Sequence, residues 1–258
     1  MKVLITRAKP QATEFAQYLE SYGFTCVFFP TIEIVEPDSW EEVDEKIKQI
    51  DKYTDIIFTS TNAVKFFFDR FTKFHALEKL RGKRFHAVGT KTKEEIEKYG
   101  FNVEILPEKS DKESLFLKII SEKKEAKFLF PRGNLTDENF IKIFKEKGLA
   151  IDDVIVYKTI KPEISEVEKE NIERMIENGE IKFITFFSPS SVRNFFEIFN
   201  NIKFNGQKIA VIGQTTLKEC EKFGLNVDIN PMKFSPKPNA KLLAELMNEE
   251  KTKLLAQN

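Results

Sequence analysis

The chain has 258 residues, is 41% hydrophobic and 32% charged, and balances 41 basic side chains against 41 acidic ones. That size admits one large or two ordinary domains with a substantial core, and the composition excludes a disordered chain. Zero net charge argues against a nucleic-acid partner, whose surface carries a basic excess or stripe; the nearest approach, Lys79-Leu80-Arg81-Gly82-Lys83-Arg84, reads as a solvated turn before a strand.

In chain order, short apolar runs suited to strands fall at 3–6, 26–29, 56–59, 84–88, 103–106, 128–130, 154–157, 183–187, 209–212 and 227–229. Most are separated by 10–15 residues with apolar side chains three and four apart, such as Phe15, Leu19 and Tyr22, or Phe140, Ile143 and Phe144. Runs that are apolar throughout suit strands covered by helices on both faces, and their alternation with helices predicts an α/β fold with parallel sheets. The 26 Phe, several in pairs and triplets such as Phe66-Phe67-Phe68, are read as core filling. Segments 30–37 (PTIEIVEP) and 157–162 (YKTIKP) break the rhythm, being β-branched and bounded by proline, and are read as linker strands.

The chain also repeats itself. Residues 89–107 (GTKTKEEIEKYGFNVEILP) and 213–231 (GQTTLKECEKFGLNVDINP) are identical at ten of nineteen positions, at an offset of 124. Residues 58–71 and 186–199 agree at six of fourteen positions, and Arg7, Phe15 and Gly23 align loosely with Arg132, Phe140 and Gly148. Two copies of one βα unit predict two similar domains with a ligand cleft between them. Whether each domain is one copy or a mixture of both stays open at this level.

Several chemistries lack their residues. Cys26 and Cys220 share no C-x-x-C spacing, and His75 and His86 have no partner at ligand spacing, which argues against metal ligation and thiol chemistry and fits a reducing compartment. No G-x-G-x-x-G, G-x-x-x-x-G-K-[ST] or G-x-S-x-G occurs, so nucleotide cradles and a nucleophile elbow are missing. The opening Met1–Arg7 run is too short for a signal peptide, and nothing approaches the roughly 18 apolar residues of a membrane span. A cytoplasmic protein without a membrane partner is expected.

What remains is a set of small polar residues where strands should end and helices begin: Ser60, Thr61 and Asn62; Ser188 and Ser190; Gly89 and Thr90; Gly213, Thr215 and Thr216. Such positions in open parallel sheets hold ligands, and hydroxyls with free backbone N–H groups suit carboxylates or phosphates. The same residue types are also the commonest helix caps, and for any one of them capping alone suffices. Four such sites together predict a ligand with several negative charges. Among only 7 Arg, Arg7 and Arg132 (followed by Gly133) close strands before helices, suited either to a carboxylate or to an ion pair with a neighbouring helix. Tyr157 ends an apolar run, its hydroxyl facing a cleft or satisfying the edge of the core.

In this order and spacing, Ile5-Thr6-Arg7, Phe58-Thr59-Ser60-Thr61-Asn62-Ala63, Val88-Gly89, Phe130-Pro131-Arg132-Gly133, Val156-Tyr157-Lys158-Thr159, Phe186-Phe187-Ser188-Pro189-Ser190 and Ile212-Gly213-Gln214-Thr215-Thr216 resemble the uroporphyrinogen-III synthase family over almost the whole chain. Gln214 departs from the proline that the family often has there. The resemblance implies two flavodoxin-like domains joined by a two-stranded β-ladder, one from residues 1–32 with 163–258 and the other from 36–160, with linkers near 30–37 and 157–163. It implies a cofactor-free, monomeric lyase that cyclises hydroxymethylbilane, a linear tetrapyrrole with eight carboxylates, to uroporphyrinogen III. Tyr157 matches the family tyrosine assigned to leaving-group loss. Arg7, Ser60, Thr61, Asn62, Gly89, Thr90, Arg132, Gly133, Ser188, Ser190, Gly213, Thr215 and Thr216 would contact substrate. Two rivals also fit the residues: a two-lobed binding protein or regulator for a polyanion, and a small glycosyltransferase.

Overall fold

A computed structural model describes residues 1–108, 111–122, 125–236 and 238–256. Its strands are β1 (Lys2–Ile5), β2 (Thr25–Phe28), β3 (Glu33–Val35), β4 (Asp55–Phe58), β5 (Arg84–Ala87), β6 (Val103–Ile105), β7 (Lys127–Gly133), β8 (Ala150–Ile160), β9 (Ile181–Phe186) and β10 (Lys208–Val211). Its helices are α1 (Lys9–Ser21), α2 (Glu41–Lys48), α3 (Thr61–Phe71), α4 (Thr90–Glu97), α5 (Lys112–Glu122), α6 (Asn139–Glu146), α7 (Glu166–Glu177), α8 (Pro189–Ile198), α9 (Gln214–Lys222) and α10 (Ala240–Ala256). The chain divides into two compact units: a terminal unit, Met1–Glu33 with Ile160–Asn258, and a central unit, Ile34–Thr159.

The terminal unit is built on a four-stranded sheet in the order β10-β9-β1-β2, parallel throughout. Alternation of side chains across a strand explains its continuous apolar runs. Val3 and Ile5 join Phe15, Leu19, Leu243 and Met247 on one face, while Leu4 joins Ile176, Ile184, Val192 and Phe195 on the other. The segment after β2 is fastened by Thr31, whose hydroxyl donates to Ser191 O at 3.0 Å and whose carbonyl accepts from Asn194 Nδ2 at 2.7 Å.

The central unit carries a six-stranded sheet, β3-β8-β7-β4-β5-β6, in which β8, β7, β4, β5 and β6 run parallel. One face packs Ile56, Phe58, Leu129 and Val154 against α2 and α3; the other packs Ile57, Phe128 and Phe130 against Leu115, Phe116, Ile141 and Phe144. Phe58 lies edge-on to Phe67, and Phe116 stands edge-on to Phe130 and Phe144, so the Phe clusters are core. Setting β7 and β8 beside β1 and β2 shows one strand order in both sheets. The terminal sheet joins β1 and β2 of the first sequence repeat to β9 and β10 of the second, and the central sheet joins β7 and β8 of the second to β3, β4, β5 and β6 of the first.

Two expected elements differ. Residues 227–229 form only an isolated parallel bridge, Ala210 to Ile229. The Asp228 carboxylate accepts from Ile209 N–H at 2.9 Å, so a side chain occupies a donor that a regular ladder would pair with backbone. The strand expected at 128–130 continues through Pro131 and Arg132 to Gly133, because β8 is 11 residues long and keeps pairing with it. Arg132 and Gly133 therefore sit in a strand rather than just before a helix. Among the described residues no helix is long and apolar enough to cross a membrane.

Candidate functional site

In the central unit the polar positions gather at the carboxyl end of the sheet. β4 stops at Phe58, and Ser60, in extended backbone, caps α3 by accepting from Ala63 N–H at 3.0 Å. The Ser60 hydroxyl donates to the phenolic oxygen of Tyr157 at 3.1 Å. Tyr157 belongs to β8, which neighbours β7 and not β4. Its ring reaches Ser60 by passing over Gly133 of β7, where a Cβ would lie 2.5 Å from the Tyr157 Cζ. A register shift after Arg132 sets Gly133 opposite Tyr157. Phe66 of α3 packs on the phenol with centroids 5.9 Å apart and rings tilted by 28°.

Burial pushes the Tyr157 hydroxyl above its ordinary pKa, and the Ser60 hydrogen bond opposes that only in part. The phenol is thus neutral at physiological pH and able to donate a proton or hydrogen bond. Thr61 and Asn62 are half-buried in the first turn of α3. Gly89 caps α4 in extended backbone with no side-chain cap, and Thr90 is exposed beside it.

Arg132 takes the ion-pair alternative. Its side chain is 6% exposed, with Nε on Asp153 at 2.6 Å and Nη2 on Glu138 at 2.8 Å, so its guanidinium is engaged by two protein carboxylates. Lys112, at the start of α5, lies close enough to Arg132 and Asp137 to feel both charges, and burial lowers its ammonium pKa. Nothing in the sequence separated Lys112 from 33 other lysines, or Phe66 from its run of core phenylalanines.

The terminal unit presents a parallel set of residues. Arg7 follows β1; its guanidinium lies 4.7 Å from the centroid of Phe187, and Nε donates to Gln11 Oε1 at 3.3 Å. Burial lowers its pKa, Glu14 opposes this, and an arginine remains charged regardless. Ser188 caps α8 in a reciprocal capping box with Ser191, and its Oγ is 3.0 Å from Ser190 Oγ. Gly213 caps α9 with no side-chain cap; Thr215 is exposed, whereas Thr216 is 2% exposed and turned into the core. The outward hydroxyl of that turn belongs to Thr215.

Other clusters lie elsewhere or are chemically quiet. A cavity of about 680 Å³ opens among Arg81, Lys83, Arg84, Phe101 and Glu104, at the amino-terminal end of β5 and β6. Lys83 is spent on Tyr53 O and Arg84 on Asp55. Burial raises Cys26 to about 11 and Cys220 to about 12, so both stay thiols at neutral pH.

The carboxyl ends of parallel strands, where they lead into helix N-termini, are where open α/β proteins hold anionic small molecules. Comparison with known proteins narrows that class. The family model described as "Uroporphyrinogen-III synthase HemD" matches residues 13–240, and the chain belongs to this family. It is 35% identical over 249 residues to the uroporphyrinogen-III synthase of Chlorobaculum parvum, covering 95% of this chain and 98% of that one. A crystal structure of mutant uroporphyrinogen III synthase from Thermus thermophilus superposes with a TM-score of 0.67 at 14% identity, over 99% of both chains. The uroporphyrinogen-III synthetase structure from Helicobacter pylori gives 0.66 at 16% identity, over 96% of this chain and 99% of that one.

Proposed function

We infer that this protein is a uroporphyrinogen-III synthase, a cyclising lyase that closes hydroxymethylbilane into uroporphyrinogen III with ring D inverted. Loss of the terminal hydroxyl, which leaves as water, generates an electrophilic azafulvene on ring A. The substituted carbon of ring D attacks it to give a spiro intermediate, and fragmentation and reclosure complete the inversion. Bilane closes unaided to the uninverted isomer, so the protein's task is to hold flexible ends in the geometry that leads to isomer III. Such positioning supplies on the order of 7–11 kcal/mol in well-oriented systems.

The observation that carries the mechanism is the half-buried, neutral phenol of Tyr157 among carboxylate-suited groups. A hydrogen bond or proton from this phenol assists departure of the hydroxide. Arg7, Thr61, Asn62, Thr90, Ser188, Ser190 and Thr215 are read as carboxylate contacts. The uncapped first turns of α4 and α9, behind Gly89 and Gly213, add backbone N–H donors. Each unit is read as a flavodoxin-like domain, supported by the shared strand order, with β3 and β8 as the connecting ladder.

The test is to incubate the protein with freshly prepared hydroxymethylbilane and resolve the uroporphyrinogen isomers. Isomer III is expected from the native protein, and Tyr157→Phe is expected to lower kcat roughly a hundredfold. Full turnover by Tyr157→Phe would remove the phenol from the mechanism. Isomer I alone from the native protein would favour the non-catalytic binding protein.

A further inference from the structure

Tyr157 is held by three contacts that differ in chemical direction. Its ring spans from β8 across β7 to the loop after β4, a path open only because Gly133 has no side chain. Phe66 covers the ring. The Ser60 oxygen already accepts from Ala63 N–H, and the Ser60 proton is directed to the phenolic oxygen. A hydroxyl has one proton to give, so this order fixes the polarity of the chain: backbone N–H to Ser60, Ser60 to Tyr157, Tyr157 outward. Accepting a hydrogen bond at its oxygen also polarises the phenol and makes its own O–H a stronger donor.

We propose that Ser60 and Gly133 are positioning residues for the Tyr157 proton: Gly133 admits the ring across β7, and Ser60, which donates to the phenolic oxygen while its own oxygen caps α3, turns the phenolic hydrogen toward the departing hydroxide. The proposal deepens the synthase reading and rests on it. It reassigns Ser60 from carboxylate ligand to partner of the phenol. The terminal unit supplies a contrast, because Ala8 follows Arg7 as Gly133 follows Arg132, and Ser188 shares its hydroxyl with Ser190 instead of a phenol.

The experiment compares Ser60→Ala, Ser60→Thr, Gly133→Ala and Tyr157→Phe in the full chain labelled with [13Cζ]-tyrosine. Tyr157 is identified among the 5 tyrosines as the resonance lost in Tyr157→Phe. Ser60→Ala is expected to move the Tyr157 Cζ resonance and lower kcat about fivefold, the loss of one neutral hydrogen bond, with KM unchanged. Ser60→Thr, which keeps cap and donor, restores both readouts. Gly133→Ala displaces the ring and moves the same resonance by an independent route. In a Tyr157→Phe background Ser60→Ala costs nothing further, since its effect runs through the phenol. An unmoved resonance in Ser60→Ala overturns the proposal, as does a raised KM with intact kcat, the signature of a lost carboxylate contact. The resonance is read without substrate, so full turnover by Tyr157→Phe defeats the catalytic reading separately from the contacts around the ring.

Discussion

The two sheets share a strand order but fill one equivalent place in opposite ways. In the central unit Asp55 opens β4 opposite Arg84 of β5, and its fully buried carboxylate accepts from Arg84 at 2.8 and 2.5 Å, from Thr54 at 2.6 Å and from His86 Nε2 at 2.7 Å. In the terminal unit the corresponding pair is Phe183 and Lys208, with Ala210 in the place of His86. Phe183 is buried edge-on against Phe24 at 5.4 Å, and Lys208 turns to Asp228 at 2.9 Å. One backbone geometry thus tolerates an apolar plug or a charged network. The network is stable only when complete, because removing one partner strands a buried charge.

The largest expected effect breaks that network. Asp55→Asn should destabilise the central unit by about 3–5 kcal/mol, read as loss of hydrogen-exchange protection across residues 34–159 with the terminal unit spared. Burial pushes the Asp55 carboxyl up, but the hydrogen bonds from His86, Arg84 and Thr54 outweigh it and hold the group well below the usual carboxylate range. A carboxyl so held adds stability that is fully present above its unfolded pKa of about 3.9 and is lost as pH falls below it. Acid titration should therefore open the central unit before the terminal one, and Asp55→Asn should flatten that dependence.

Next come the two arginines. Arg132→Ala leaves Asp153 half-buried without its partner and should cost about 2–3 kcal/mol, measured as the urea midpoint. Arg7 makes no ion pair among the described residues, so Arg7→Ala should instead raise KM about tenfold with little change in stability. Equal stability losses from the two would dissolve the contrast. The smallest effect concerns a repeated glutamate. Glu219 meets Lys222 and Arg193 at 3.0 and 3.1 Å, whereas Glu95 meets Lys98 at 2.8 Å. With such exposed cations, Glu219→Gln should exceed Glu95→Gln by only about 0.5 kcal/mol, resolved by chemical denaturation.

Much of the architecture was legible because strands covered on both faces are apolar at every position, as in Val3, Leu4 and Ile5. The segment at 227–229 misled because Asp228 turns its carboxylate back to Ile209, a choice invisible to hydropathy. Ser60, Gly133 and Tyr157 could each be named from the sequence. Their contact could not, since Ser60 and Tyr157 are 97 residues apart and meet only through the order of three strands. The fate of Arg132 likewise depended on the β7–β8 register, which brings Asp153 to it from 21 residues away.

The pairing of β1 with β9 shapes how the molecule can be made. Thr6 hydrogen-bonds Thr185 across 179 residues of chain, while the central unit is continuous. At a synthesis rate of about 5–20 residues per second, the amino-terminal strand waits roughly 9–36 s for its neighbour to leave the ribosome. By then the inserted unit has had time to fold. The early parallel β1-α1-β2 unit must spend that interval with apolar surface exposed, which makes it the natural client of a chaperone and the first place where translation speed would alter yield.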